Sequence, residues 1–322
     1  MAMGKRKPAP SSGTRNAASS RRHVLALMLG AWRWLPRALA AADAGAPIRL
    51  AISESLVADV NLNDARAAMA IWLKRMMVDL NLVIEFNPKV FDTTEEIFRR
   101  ARSGQLDAVA PNVVEYRQIA DVLDPSEIIA ESGAAGVEQY ILLAKRNSGI
   151  QHLGDLRGRR LYTLKNPRMC VADAWLSTLL DEGHLSPSGQ FFGSTTVDTK
   201  VSRVVLPVFF GQADACITSK RGFDMMCELN PQVGKDLIAL ASSPPMVVNF
   251  YVFHKNYHGV NRERFAKVYS GLRSSAAGRQ LATLFQFDQL TVQDGSCLAS
   301  ALSILDASER VRNRRGAGGR KG

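Results

Sequence analysis

The stretch GQLDAVAP (residues 104–111) returns, little changed, as GQADACIT (211–218). Each copy reads as a helix ending at Gly, an Asp at the turn, then a short apolar strand. Around the first copy, IRLAIS (48–53), LVIEF (82–86) and LDAVA (106–110) read as strands. A helix over 63–80 places Met69, Leu73 and Met76 on one face, and Thr93 with Glu96 reads as a capping box for the helix ending near Gly104. Around the second copy, EQYILLAK (138–145), RRLYTL (159–164) and DACIT (214–218) read as strands, with helices from Val171, over 200–210 and up to Glu228. VVNFYVFHKN (247–256) is again strand-like, and the chain then reads as helical to Leu305. Strand–helix alternation given twice predicts an α/β protein with parallel sheets. Two such units joined by two long strands predict two lobes with a cleft at the carboxyl ends of the strands, where open α/β sheets take ligands.

One loop stands at such a position. LYTLKNPRMCVADAWL (161–176) reads as a strand, the loop Asn166-Pro167-Arg168-Met169-Cys170, and a helix. A helix start offers unpaired N–H groups and a partial positive charge, a common place to hold an anion.

Composition narrows the function classes. The chain of 322 residues carries a formal charge of +11, which suggests nucleic acid until its distribution is read. Of 41 Lys and Arg, residues 1–40 hold 8 and residues 310–322 hold 6, both without acids, leaving 27 basic against 30 acidic groups between them. The folded part is near neutral, so no nucleic-acid partner is expected. SSRRHVLALMLGAWRWLPRALAAADA (19–44) has an Arg pair, an apolar run and an A-x-A site at Ala38–Ala40. It reads as a twin-arginine-like export signal over residues 1–40, cleaved near Ala40, rather than a membrane anchor, because Arg33 and Arg37 cut the apolar run short. Residues 308–322 read as a disordered basic tail. Cys170, Cys216, Cys227 and Cys297 show no metal-ligand spacing; they are either free buried thiols or, after export, partly bridged. No G-x-S-x-G, H-E-x-x-H or P-loop is present, so no enzyme, catalytic residue, metal or cofactor is expected.

Five segments carry a resemblance: RLAISES (49–55), GQLDAVAPN (104–112), QYILLAKRNSGIQHLGDLRGRRLYT (139–163), FFGQADACITSKRGFDMM (209–226) and SSPPMVVNFYVFHKN (242–256). In that order they resemble the phosphate/phosphite/phosphonate-binding proteins of ABC transporters, with the type 2 periplasmic-binding-protein fold, over about residues 47–307. The resemblance implies a venus flytrap with two hinge-crossing strands, near Glu138–Leu142 and Asn249–Phe253. It divides the chain into a first lobe, 46–137 plus 255–307, and a second lobe, 138–254. It implies a monomeric periplasmic receptor for a small anionic ligand, partnered by an inner-membrane ABC permease. A receptor feeding a membrane signalling protein, and an enzyme on the same fold, are the alternatives.

The resemblance also names ligand candidates. In the family, the loop matching 166–170 is rich in Ser and Thr; here Asn166, Arg168, Met169 and Cys170 stand there. Arg168 either grips a carboxylate or phosphate in two-pronged fashion or is an exposed loop charge. Thr195 and Thr196 offer hydroxyls, or cap the next helix. Ser53 and Glu54 follow the first strand, Asn112 follows the third, and Tyr140 lies on a hinge strand. Thr218 and Ser219 end the strand after Asp214, with Lys220 as a further cation.

Overall fold

The computed structural model describes residues 46–57, 61–79, 82–132, 136–259, 261–284 and 289–318. The expected export signal over residues 1–40 lies outside them, as does the Met76 side chain.

The first sheet begins with strand β1 (Ile48–Ile52), helix α1 (Leu62–Asp79), β2 (Ile84–Phe86), α2 (Thr94–Arg102), β3 (Ala108–Ala110), α3 (Val113–Ile119) and β4 (Leu123–Glu131). The chain then crosses to β5 (Tyr140–Lys145), β6 (Arg160–Leu164), α4 (Ala172–Glu182), α5 (Ser188–Phe191), β7 (Ser194–Asp198), α6 (Val201–Phe209), β8 (Ala215–Ser219), α7 (Lys220–Leu229), α8 (Pro231–Asp236) and β9 (Leu237–Ser242). It returns through β10 (Phe250–His254), α9 (Asn261–Ser270), α10 (Ala276–Leu284), β11 (Leu290–Gln293) and α11 (Ala299–Gly318). Strand order is β11-β4-β10-β3-β1-β2 in one sheet and β7-β6-β8-β5-β9 in the other. The fold is mixed α/β in two lobes.

The repeated stretch does the same work in both lobes. Gly104 and Gly211 take φ of +67° and +75°, the left-handed conformation that ends a helix at little cost only for Gly. Asp107 then accepts from the Arg49 backbone N–H at 2.8 Å and pairs with its guanidinium, tying the start of β3 to β1. Asp214 accepts from the Arg160 N–H at 2.8 Å and pairs with its guanidinium, tying β8 to β6. Both tied pairs are parallel, with Leu50 beside Ala108 and Leu161 beside Ala215. Thr93 caps α2 by accepting from the Glu96 N–H at 3.3 Å, but the reciprocal half of the expected box is replaced: Glu96 pairs with Arg99 at 2.6 Å. Met69 and Leu73 of α1 are buried as expected.

The parallel cores β2-β1-β3 and β7-β6-β8 are extended by antiparallel strands. Four of the strands, β4, β7, β9 and β11, are absent from the sequence reading. β4 carries Pro125, which argues against a strand; it falls between the Leu123–His254 and Ile128–Val252 pairings, where the register shifts and no N–H is required. The return strand β10 pairs with β3 and β4, so residues 250–254 belong to the first sheet rather than the second lobe. The expected disordered tail is also corrected: α11 continues to Gly318 because Val311 is buried and Arg314 pairs with Asp181 of α4 at 2.6 Å. The helix packs on both α3 and α4.

Between the two sheets lie the stretches 136–139 and 243–249. They pair with each other through Glu138 N to Met246 O at 2.7 Å and Met246 N to Glu138 O at 2.9 Å. Across the cleft, the helical turn Glu54–Val57 packs against the turn Pro167–Met169. One core cluster runs from Ile97 and Val113 through Val247 to Leu161 and Val205, so the lobes share apolar packing.

Candidate functional site

The turn after β6 is built to present Arg168. Asn166 accepts from the Arg168 N–H at 3.1 Å, and Pro167 occupies the first helical position, where no N–H is needed. Buried Tyr140 braces the turn from β5, its hydroxyl donating to Arg168 O at 2.7 Å and accepting from Val171 N at 3.4 Å. Burial pushes the Tyr140 phenol well above its ordinary value.

Arg168 is thereby aimed at the crossing segment. Its Nη1 lies 2.7 Å from Glu138 Oε1 and 3.5 Å from Glu131 Oε2. Arg221 Nη1, at the start of α7, lies 4.0 Å from Glu131 Oε1. Both carboxylates are almost fully buried. Burial works to lower the Arg168 pKa, but Glu138 and then Glu131 outweigh it and hold the guanidinium above its ordinary value, firmly ionised. Gly136 makes the placement of the two acids feasible: a Cβ there would come within 2.2 Å of Glu131 O.

These groups line a cavity of about 510 Å³ between the lobes. Asn166, Arg168 and Ser219 of the expected residues reach its wall, joined by Glu131, Glu138, Arg221, Lys200 and Asn249, which sequence reasoning did not select. Ser219 also caps α7, accepting from Gly222 N at 3.2 Å. Asn249 brings a buried Oδ1 that has no hydrogen-bond partner among the described residues. Much of the remaining wall is apolar, including Ile52, Phe91, Met226 and Phe250.

The other expected residues lie elsewhere. Ser53 and Asn112 hold a protein carboxylate: Ser53 Oγ and Thr94 Oγ1 donate to Glu115 Oε1 at 2.8 and 2.7 Å, and Asn112 N donates to Oε2 at 3.0 Å. Asn112 Oδ1 caps α3. Glu54 is exposed and outside the wall, and Met169 is buried beside the turn. Tyr140 braces from behind. Cys170 is packed at the lobe junction; burial, then the nearby Glu115 charge, pushes its thiol up to about 12. Thr218 is buried inside β8, paired with Ile141 of β5. Thr195 and Thr196 are exposed on the edge strand β7, and the wall begins beyond that strand at Thr199. Lys220 pairs with Asp224 at 2.6 Å on the exposed face of α7.

A family model described as the phosphonate periplasmic substrate-binding protein of ABC transporters matches residues 58–296. The chain belongs to this family. No curated protein matches the chain. Among solved structures, XAC2383 from Xanthomonas citri bound to chloride ion shares 14% identity at a TM-score of 0.58, over 83% of this chain and 99% of that one. PhnD1 from Prochlorococcus marinus, in complex with methylphosphonate, shares 13% identity at 0.54, over 82% and 98%. A binding protein of an ABC phosphonate transporter from Pseudomonas aeruginosa shares 14% identity at 0.50, over 85% and 99%. At such identities these likenesses establish the type 2 periplasmic-binding-protein fold. No helix among the described residues is long and apolar enough to cross a membrane.

Proposed function

We propose that this phosphonate-family binding protein captures a small oxyanion-bearing solute in the interlobe cavity and delivers it to an inner-membrane ABC permease. It acts as an exported monomer, its signal removed near Ala40, and carries out no chemistry on the solute. The first lobe comprises 46–137 and the segment from β10 through about 307; the second comprises 138–249. The observation that carries the reading is Arg168, braced by Asn166 and Tyr140 on the wall of the cavity. A guanidinium offers a fork that matches an oxyanion.

Calorimetric titration with phosphate, phosphite, phosphonates, sulfonates and carboxylates tests this. At least one oxyanion class should bind, and Arg168→Ala should weaken that binding by tenfold or more. Because that change strands buried carboxylates, Arg168→Ala with Glu138→Gln serves as the folded control. No binding across the panel, or unchanged affinity in the double variant, overturns the reading.

A further inference from the structure

We infer that the ligand is an amphiphilic oxyanion, one charged head on an alkyl or aryl body, rather than an inorganic ion or a one-carbon phosphonate. This rests on the reading of the cavity as the solute site. The first support is electrostatic. Arg168 lies against Glu138 and Glu131, Arg221 against Glu131, and Lys200 also lines the wall. A compact multiply charged anion placed there meets the repulsion of two buried carboxylates, with nothing but charge to offset its lost hydration.

The second support is the rest of the wall. Ile52, Val57 and Phe91 of the first lobe line it and are almost fully buried. From the second lobe α7 contributes Met226, Met225 and Leu229, the last two exposed at 52% and 88%. These side chains surround a volume of about 510 Å³, many times the roughly 30 Å³ share of one water, and they give water no hydrogen bonds. An apolar body seated among them fills that volume, while the head takes the Arg168–Arg221 end. Asn249, whose buried Oδ1 has no partner among the described residues, adds a polar group to the wall.

Titration calorimetry with methyl-, butyl-, hexyl- and phenylphosphonate, sodium phosphate and 1-hexanol reads this out on the mature chain. Affinity should rise about fourfold per added methylene until the cavity fills. Phenylphosphonate should exceed methylphosphonate, and hexanol should bind far more weakly than hexylphosphonate. Met225→Ser, at an exposed position, should weaken hexylphosphonate about fivefold and methylphosphonate by much less. Phosphate or methylphosphonate binding as tightly as hexylphosphonate overturns the apolar body while the oxyanion receptor stands. Hexanol binding as tightly as hexylphosphonate overturns the charged head, and no binding by any probe overturns both.

Discussion

Arg168 serves the fold as well as the cavity. Its side chain and that of Glu138 are only 22% and 3% exposed, so removing one charge strands the other away from water. Arg168→Ala should cost about 3 kcal/mol in urea unfolding, and adding Glu138→Gln should recover much of it; an additive double variant would show that the pair is not coupled. The cysteines are a second residue-level case, all four of them free. Burial pushes the Cys170 and Cys216 thiols up, Cys170 to about 12, which leaves almost no thiolate at pH 8. Ellman's reagent should therefore react with Cys216 only on unfolding and with half-buried Cys170 far more slowly than with an exposed thiol, a readout checked by mapping the labelled peptides; fast native labelling of Cys216 would contradict its burial. Arg168 stood out in the sequence as a cation in a loop that opens a helix. Its partners did not, since Glu131 and Glu138 lie 37 and 30 residues away in a segment without a motif. Only the folded crossing makes them neighbours.

At the scale of elements, β4 shows why polar patterns mislead. Asp124 and Glu127 make it look like a loop, yet both acids face one cation, Arg262 of α9, with Asp124 at 2.7 Å. Burial favours a higher Asp124 pKa, but the Ser126 hydroxyl and N–H and then Arg262 outweigh it and set the carboxyl at about 2. The unfolded value is about 3.9. The resulting stability is complete above that value and lost as pH falls toward 2. Asp124→Asn should lower the melting temperature at pH 6 and flatten its fall between pH 4 and 2; an unchanged slope would remove Asp124 from the acid response. β7 and β11 escaped sequence reading for a related reason. STTVD lies on a sheet edge with four of its five residues exposed, so no apolar alternation marks it. The repeated Gly–Asp stretch, by contrast, was readable because backbone chemistry, not packing, determines it: only Gly tolerates the turn, and Asp bonds the adjacent strand's N–H.

At the scale of the whole molecule, two lobes share one core cluster and are joined by the paired crossing segments and by α11. Deleting residues 309–322 removes buried Val311 and the Arg314–Asp181 pair, and should lower the melting temperature by about 5 °C. An unchanged melting curve would mean that the last turns of α11 hold nothing. Ligand present at a hundredfold its Kd should raise apparent stability by about 2.7 kcal/mol, which ties any binding result to the folded state. The two-lobe plan was legible from strand order alone. The amphipathic cavity was not, because its described walls come from ten separate stretches of chain that carry no shared signal.

The long C-terminal helix has a mechanical consequence. One footing is on α3, where Arg117 holds Asp306 and Glu309; the other is on α4, where Asp181 holds Arg314. A strut fixed to both jaws of a trap cannot stay fixed through every rotation. Movements that pivot about the strut keep both footings, whereas spreading across it must pull one of them loose.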